Sequence, residues 1–265
     1  MHVTRFATLF LGSLLMSLPV VAQQLTPAAP RDAQAVNVLT RCLAAAGGTQ
    51  AISAIQDFTG TGTITYFWAG QHVQGSVTTR GKGIDEFRLD ANLPTGMRSW
   101  AVQDGAGSLK DSSGNVTAIP FANAVNLGAL TVPILEVNAV LNDPAVAISY
   151  VGQVTLNGKQ VYDIRIQRNF DSQTDPNGTL SKFRSRDFFI DSASFQIVET
   201  KDMTHPTDRT TDQYSHAVVF SDYQSIAGVL VPFSVTEEVT GQQTWTITLT
   251  SMNFNTGLTD SDFEL

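Results

Sequence analysis

The stretch QTWTITLTSMNF, residues 243–254, decides the fold class of this chain. Bulky apolar side chains alternate along it with threonines, in the order Trp245, Thr246, Ile247, Thr248, Leu249, Thr250. This period of two is typical of a β-strand that buries one face and turns the other to water. The stretch therefore predicts a half-buried strand near the end of the chain.

The same period extends over most of the chain from Asp57 onward. One face of the first strand carries Phe58, Ile64, Tyr66 and Trp68, and threonines occupy the other face. Further strands are predicted at about 72–78, 83–91, 97–103, 107–119, 146–156, 159–169, 182–190, 195–203, 213–223 and 229–239. Short turns such as Asn157-Gly158 join them, and these are too short for parallel crossovers. We therefore expect one wide antiparallel sheet, which must curl or close because so many strands cannot stay flat.

Two segments have helical spacing and can cover the apolar face of such a sheet. The first begins at Asp32, a good N-cap residue, and ends at Gly47-Gly48, and a short helical piece at about 50–55 follows it. The second is residues 121–142, which are very apolar and carry a single charge, Glu136. Pro133 should divide this segment into two pieces. The expected fold is mainly β (α+β): a curled antiparallel sheet covered by an N-terminal helix and a loosely held mid-chain helical lid.

The first 22 residues have the pattern of a signal peptide. Arg5 provides a positive start, residues 6–18 are apolar or small, and Val20-Val21-Ala22 supplies small residues before a cleavage site. Residues 23–31 are predicted to be a linker rich in proline and alanine. We therefore expect cleavage near Ala22, a periplasmic or secreted protein and no stable membrane insertion, because the apolar run is short for a membrane span.

The composition excludes several classes of function. With 16 basic and 24 acidic residues the chain has a net charge of −8, which argues against binding to nucleic acid or to an anionic lipid surface. The single cysteine, Cys42, excludes an internal disulfide and is expected to be a buried residue of the first helix. We expect a monomer that needs no cofactor.

The last 45 residues, 221–265, contain an ordered set of turn and strand residues, namely Asp222-Tyr223, Gly228, Pro232, the threonine-rich strand, Asn255 and Leu258…Asp262-Phe263. This pattern resembles the ending of the outer-membrane lipoprotein-sorting proteins, the LolA/LolB-like superfamily. The order of signal peptide, helix, strands, helical cover and strands is similar over most of the chain. The resemblance implies that residues 32–265 form one half-open barrel whose mouth is plugged by helices. It also implies a cavity that holds acyl chains of lipids or lipoproteins.

Such a carrier needs a pocket of aliphatic and aromatic side chains. Its candidate wall is Phe58, Ile64, Tyr66 and Trp68, and its candidate lid side is Trp100, Phe121, Leu130, Ile134, Leu135 and Leu141. The alternative is that these residues pack against one another as an ordinary core. The sequence leaves both interpretations open.

Catalytic and metal-binding patterns are weak in this sequence. The histidines beyond the signal peptide, His72, His205 and His216, lack metal-ligand spacing and are expected to be solvated, so no metal site is predicted. No nucleophile elbow is present. Glu199 and Glu237, placed at the rim of the sheet, could act as acid and base of a secreted hydrolase. The main hypothesis is a non-catalytic carrier; the alternatives are this hydrolase and an interaction module without a ligand.

Overall fold

The computed structural model describes residues 29–170, 172–206, 209 and 211–265, and one antiparallel sheet of 13 strands dominates it. The strands are β1 (Asp57–Trp68), β2 (Gln71–Lys82), β3 (Glu86–Leu93), β4 (Gly96–Gln103), β5 (Ala106–Lys110), β6 (Val116–Ile119), β7 (Val146–Leu156), β8 (Lys159–Arg168), β9 (Ser185–Asp191), β10 (Ile197–Thr204), β11 (Tyr214–Ile226), β12 (Val229–Val239) and β13 (Gln242–Phe254). The predicted signal peptide and most of the predicted linker lie outside the described residues.

The order of strands across the sheet is β6-β5-β4-β3-β2-β1-β13-β12-β11-β10-β9-β8-β7. Every neighbouring pair is consecutive in the chain except β1 and β13, which join the first six strands to the last seven. The predicted mainly β fold with one antiparallel sheet is confirmed. The edge strands β6 and β7 do not pair, so the sheet is open, and it is less curled than the term half-open barrel suggests.

Five α-helices accompany the sheet in the described part of the chain: α1 (Ala33–Ala45), α2 (Thr49–Ser53), α3 (Phe121–Ala124), α4 (Ile134–Asn142) and α5 (Thr179–Phe183). A 3-10 helix at Asp260–Phe263 follows the last strand. The predicted division of segment 121–142 is confirmed, because Pro133 stands at the N-cap of α4. Helix α5 was not predicted; there the Asp175 carboxylate accepts hydrogen bonds from the backbone N–H and hydroxyl of Ser181, both at 2.8 Å.

Helix α1 begins and ends where the sequence predicts. The Asp32 carboxylate accepts hydrogen bonds from the backbone N–H groups of Gln34 and Ala35, at 2.8 and 3.0 Å. Gly47, with a φ of +121°, ends the helix, and a Cβ on it would lie 2.2 Å from the carbonyl oxygen of Gly228. Only glycine therefore allows α1 to approach the β11–β12 turn so closely. Cys42 on this helix is buried, and burial raises the pKa of its thiol to about 12.

One face of the sheet, which we call the inner face, carries the helices. The register between β1 and β13 shifts by one residue between Thr61 and Gly62, and beyond this bulge Ile64 pairs with Ile247 and Tyr66 pairs with Trp245. Helices α1, α2 and α4 pack on one another, and their buried side chains join the inner-face residues in one hydrophobic core. We call the end of the inner face where β1 begins the packed end, and the end where β1 finishes the open end.

The edge strand β7 is partly covered by the last residues of the predicted linker. The backbone N–H of Asp32 donates to the carbonyl of Ile148 at 2.8 Å, and the N–H of Ile148 donates to the carbonyl of Pro30 at 3.0 Å. None of the helices in the described residues has the length and apolarity required to span a membrane.

Candidate functional site

A cavity of about 620 Å³ lies at the open end of the inner face. Its apolar lining comes from strands β1–β6, β10, β12 and β13 and from the turns around them: Tyr66, Phe67, Trp68, Val73, Leu93, Trp100, Leu109, Ile119, Leu127, Met203, Val239 and Trp245. Its polar lining is Thr95, Arg98, Asn123, Asn126, Asp202, Thr204, His216, Glu237 and Thr244. All three tryptophans of the chain therefore face one cavity.

The structure divides the predicted ligand-site residues between this cavity and the packed core. Tyr66, Trp68 and Trp100 line the cavity. The others do not: Phe58, Ile64, Leu130, Ile134 and Leu135 are buried in the core, Leu141 packs against it, and Phe121 is 44% exposed beside Gly105. The role of any of the ten in ligand binding stays a prediction.

Trp245 was not among the predicted wall residues, although the clearest strand pattern of the chain surrounds it. Trp245 is 4% exposed and lies directly opposite Tyr66 on the neighbouring strand. The alternation in each strand shows that both residues face inward. Tyr66 and Trp245 are 179 positions apart in the sequence, and only the pairing of β1 with β13 brings them together.

A network of buried charges borders the cavity, with Arg186 of β9 at its centre. The Arg186 guanidinium donates to the carboxylate of Glu136 on α4 at 2.6 Å and to that of Asp202 on β10 at 2.8 Å. It also donates to the backbone carbonyl of Asn126. Burial alone would lower the pKa of Arg186, but these two carboxylates outweigh it and raise the pKa above its usual value. The ion pairs therefore join the mid-chain segment to the sheet.

The network continues through His216 to the cavity wall. Its Nδ1 lies 2.6 Å from Asp202 Oδ1, and its Nε2 lies 3.2 Å from Glu237 Oε1. Burial of the imidazole opposes its charging, but the Asp202 and Glu237 carboxylates outweigh burial and raise the pKa of His216 to about 10. The imidazole is therefore a cation that donates to both carboxylates. Glu237 accepts a further hydrogen bond from the hydroxyl of Thr244.

The expectation that the histidines are solvated was wrong for two of them. His205 and His216 are buried, whereas His72 is exposed as predicted. His205 Nδ1 lies 3.0 Å from the backbone carbonyl of Asp212. Within the described ranges, no group of three histidine, cysteine or acidic side chains is arranged to hold a metal ion.

The structure separates the two carboxylates that were considered as an acid–base pair. A bulge between Ile197 and Glu199 reverses the facing of β10, so that Glu199 pairs with Val219 of β11. Glu237 pairs with the adjacent Val218. Since successive residues of a strand point to opposite faces, Glu199 and Glu237 lie on opposite sides of the sheet. The prediction that Glu199 and Glu237 form the acid–base pair of a hydrolase is therefore wrong.

The mid-chain segment, residues 121–142, was predicted to be a loosely held lid, but hydrogen bonds and an ion pair fix it to the rest of the structure. Asn123 of α3 forms two hydrogen bonds of 2.8 Å with the backbone of His205. Asn126 donates to the backbone carbonyl of Phe183, also at 2.8 Å. Together with the Arg186–Glu136 ion pair, these bonds fasten the segment to the strands beside the cavity.

Comparison with known proteins gives a likeness of fold. No protein-family model matches the chain, and no curated protein has significantly similar sequence. A domain from Vibrio parahaemolyticus, provisionally named an outer membrane lipoprotein-sorting protein, superposes with a TM-score of 0.53 at 10% identity, covering 87% of this chain and 96% of its own. A LolA superfamily protein from Nitrosomonas europaea gives a TM-score of 0.51 at 8% identity, covering 85% and 96%. The chain has a LolA-like fold.

A third solved structure, a DUF1329 family protein from Desulfovibrio piger, has a TM-score of 0.55 at 13% identity and covers 87% of this chain and 96% of its own. The similarity of this LolA-like chain to all three proteins spans nearly the whole described region. It confirms the structural resemblance drawn from residues 221–265.

Proposed function

We propose that this protein is an exported carrier that binds the acyl chain of a lipid or lipoprotein in the cavity at the open end of its sheet. The observation that carries the proposal is the cavity of about 620 Å³ lined by Tyr66, Trp68, Trp100 and Trp245. Its volume lies within the range typical of small-molecule sites, about 300–1,000 Å³.

The energetics of acyl binding favour this cavity. Each buried methylene contributes about 0.8 kcal/mol, so a long chain could bind well even after losses in chain entropy. Three charged groups of the wall, Asp202, His216 and Glu237, already have partners in the network and need no ligand to neutralise them. The fourth, Arg98, lies on β4 outside this network. Covering Asp202, His216 and Glu237 with an apolar chain therefore costs little free energy, because each of these groups keeps its hydrogen-bond partners.

The likeness of fold supports the same proposal. One of the structures that share this fold carries the name of an outer membrane lipoprotein-sorting protein.

Export rests on the signal-peptide pattern of residues 1–22. The mature protein is expected to begin at Gln23 or within a few residues of it in the periplasmic fraction, and a full-length product held in the membrane would contradict export.

A titration of delipidated protein with a fluorescent fatty-acid probe tests the carrier function. We expect saturable binding at micromolar probe. Val73→Asp places a charge in the half-buried cavity wall and should weaken binding at least tenfold. The matched control is Val154→Asp on the edge strand β7, where the valine is 42% exposed and far from the cavity lining, and it should bind like wild type. Absence of saturable binding to the wild-type protein would refute the proposal.

A further inference from the structure

We infer that the cavity selects amphiphiles with a negatively charged head group, and that the Arg98 guanidinium binds this group. The inference rests on the proposed acyl-binding function and adds the chemistry of the head. Arg98 lies on β4, is half-buried and lines the cavity. Its guanidinium carbon stands 5.3 Å from the centroid of the Tyr66 ring.

Within the described part of the chain, the charge on Arg98 has no counter-ion. Among the described residues, neither an ion pair nor a hydrogen bond engages its guanidinium, whereas Arg186 beside the same cavity is bound by two carboxylates and a carbonyl. The contact with the Tyr66 ring face leaves the N–H donors of Arg98 free. Burial raises the pKa of Tyr66 to about 12, so its phenol stays neutral and does not balance the charge.

The other charged groups and the two asparagine amides of the cavity are already occupied. Asp202 and Glu237 both accept from the charged His216. The side-chain amides of Asn123 and Asn126 donate to backbone carbonyls at 2.8 Å. Among the described residues of the wall, Arg98 therefore holds the charged donors that are still free.

The position of Arg98 determines how an amphiphile would lie. The three carboxylates of the network, Glu136, Asp202 and Glu237, outnumber its two cations, so an anionic head group is repelled from that side. On the β4 side, a carboxylate or phosphate can accept two parallel N–H bonds from the guanidinium, a strong arrangement in a partly dry site. The acyl chain would then extend along the tryptophans.

Three ligands with the same oleoyl or oleyl chain distinguish the contribution of the head group to affinity from that of the chain: oleate, oleoyl lysophosphatidate and uncharged oleyl alcohol. For the wild-type protein, each is measured by displacement of the fluorescent probe. At least one of the two anions should bind about tenfold more tightly than the alcohol. Arg98→Gln should remove this difference, whereas Arg98→Lys should retain part of it.

Arg41→Gln is the matched control, because the Arg41 guanidinium also lies over an aromatic ring, 3.9 Å from the Phe195 centroid, but outside the cavity. It should keep the wild-type preference. If no ligand binds, the proposed function itself fails. If the alcohol binds as well as both anions, or Arg98→Gln keeps the preference, the head-group inference is overturned while the acyl-binding function stands. Displacement by inorganic phosphate alone would also overturn it, because the inference requires a chain.

Discussion

The packed and open ends of the inner face are built on the same strands but have different surroundings. On β1, Phe58 at the packed end is fully buried, whereas Trp68 at the open end is 83% exposed. Helices α1, α2 and α4 supply buried side chains over the packed region, while the open end keeps a cavity between the strands and the turn after α3. Apolar residues of one strand can therefore be core or cavity wall, and the difference depends on what covers them.

The largest effect is expected at the ion network that lies between the helical cover and the cavity. Arg186→Met should lower the free energy of unfolding by about 3–5 kcal/mol, because Glu136 and Asp202 would keep buried charges without their shared cation. Denaturant unfolding measures this loss. Arg165→Met is the control, since the half-exposed Arg165–Asp187 pair should contribute about 1 kcal/mol or less. Equal losses in the two variants would show that the network does not hold the cover.

The packed end should affect stability without affecting binding. Leu39 of α1 is fully buried and lies outside the cavity lining. Leu39→Ala should cost about 2–4 kcal/mol of unfolding free energy because it leaves a void in the core. Measured at a temperature where the variant is folded, its affinity for the fatty-acid probe should equal that of wild type. A fall in affinity would mean that the two ends are not independent.

The network also predicts a pH dependence of stability. The folded pKa of His216, about 10, is above the ordinary value of about 6.5 for an unfolded chain. Its contribution is therefore complete below pH 6.5, declines as the pH rises and is lost above about 10. Denaturant unfolding between pH 6 and 10 should show this decline for wild type, and His216→Gln should flatten it. An unchanged slope in the variant would contradict the assignment of the charge to His216.

The smallest effect on stability is expected at the open end. Trp68→Ala should change the unfolding free energy by no more than about 0.5 kcal/mol, because this side chain is largely exposed. It should nevertheless weaken probe binding several-fold, since Trp68 lines the cavity. Wild-type affinity in this variant would place the bound chain away from the mouth formed by β1 and β2.

Much of the fold follows from local patterns in the sequence. The alternation in residues 243–254, the cap at Asp32 and the Asn157-Gly158 turn each predict the element that the structure contains. Pro133 likewise marks the start of α4. These signals succeed because they depend on near neighbours in the chain.

The candidate site was harder to predict because it depends on register between distant strands. The bulge before Glu199 has no glycine to mark it, and it moves that carboxylate to the other face. The buried ion pair had a signal that was not used. Arg186 shares strand parity with the apolar Phe188 and Ile190, and Glu136 is the one charge in segment 121–142. Because an unpaired buried charge is costly, an inward-facing arginine and a single acid in an apolar segment are expected to form an ion pair.

Intrinsic fluorescence tests the central claim most directly, because Trp68, Trp100 and Trp245 are the only tryptophans and all line the cavity. Bromine quenches tryptophan at short range, so delipidated protein is titrated with dibrominated stearate and, as control, with stearate. We expect saturable quenching of most of the emission by the brominated chain alone. Saturable binding of the brominated chain without quenching, or no binding, would contradict an acyl-binding cavity at the open end.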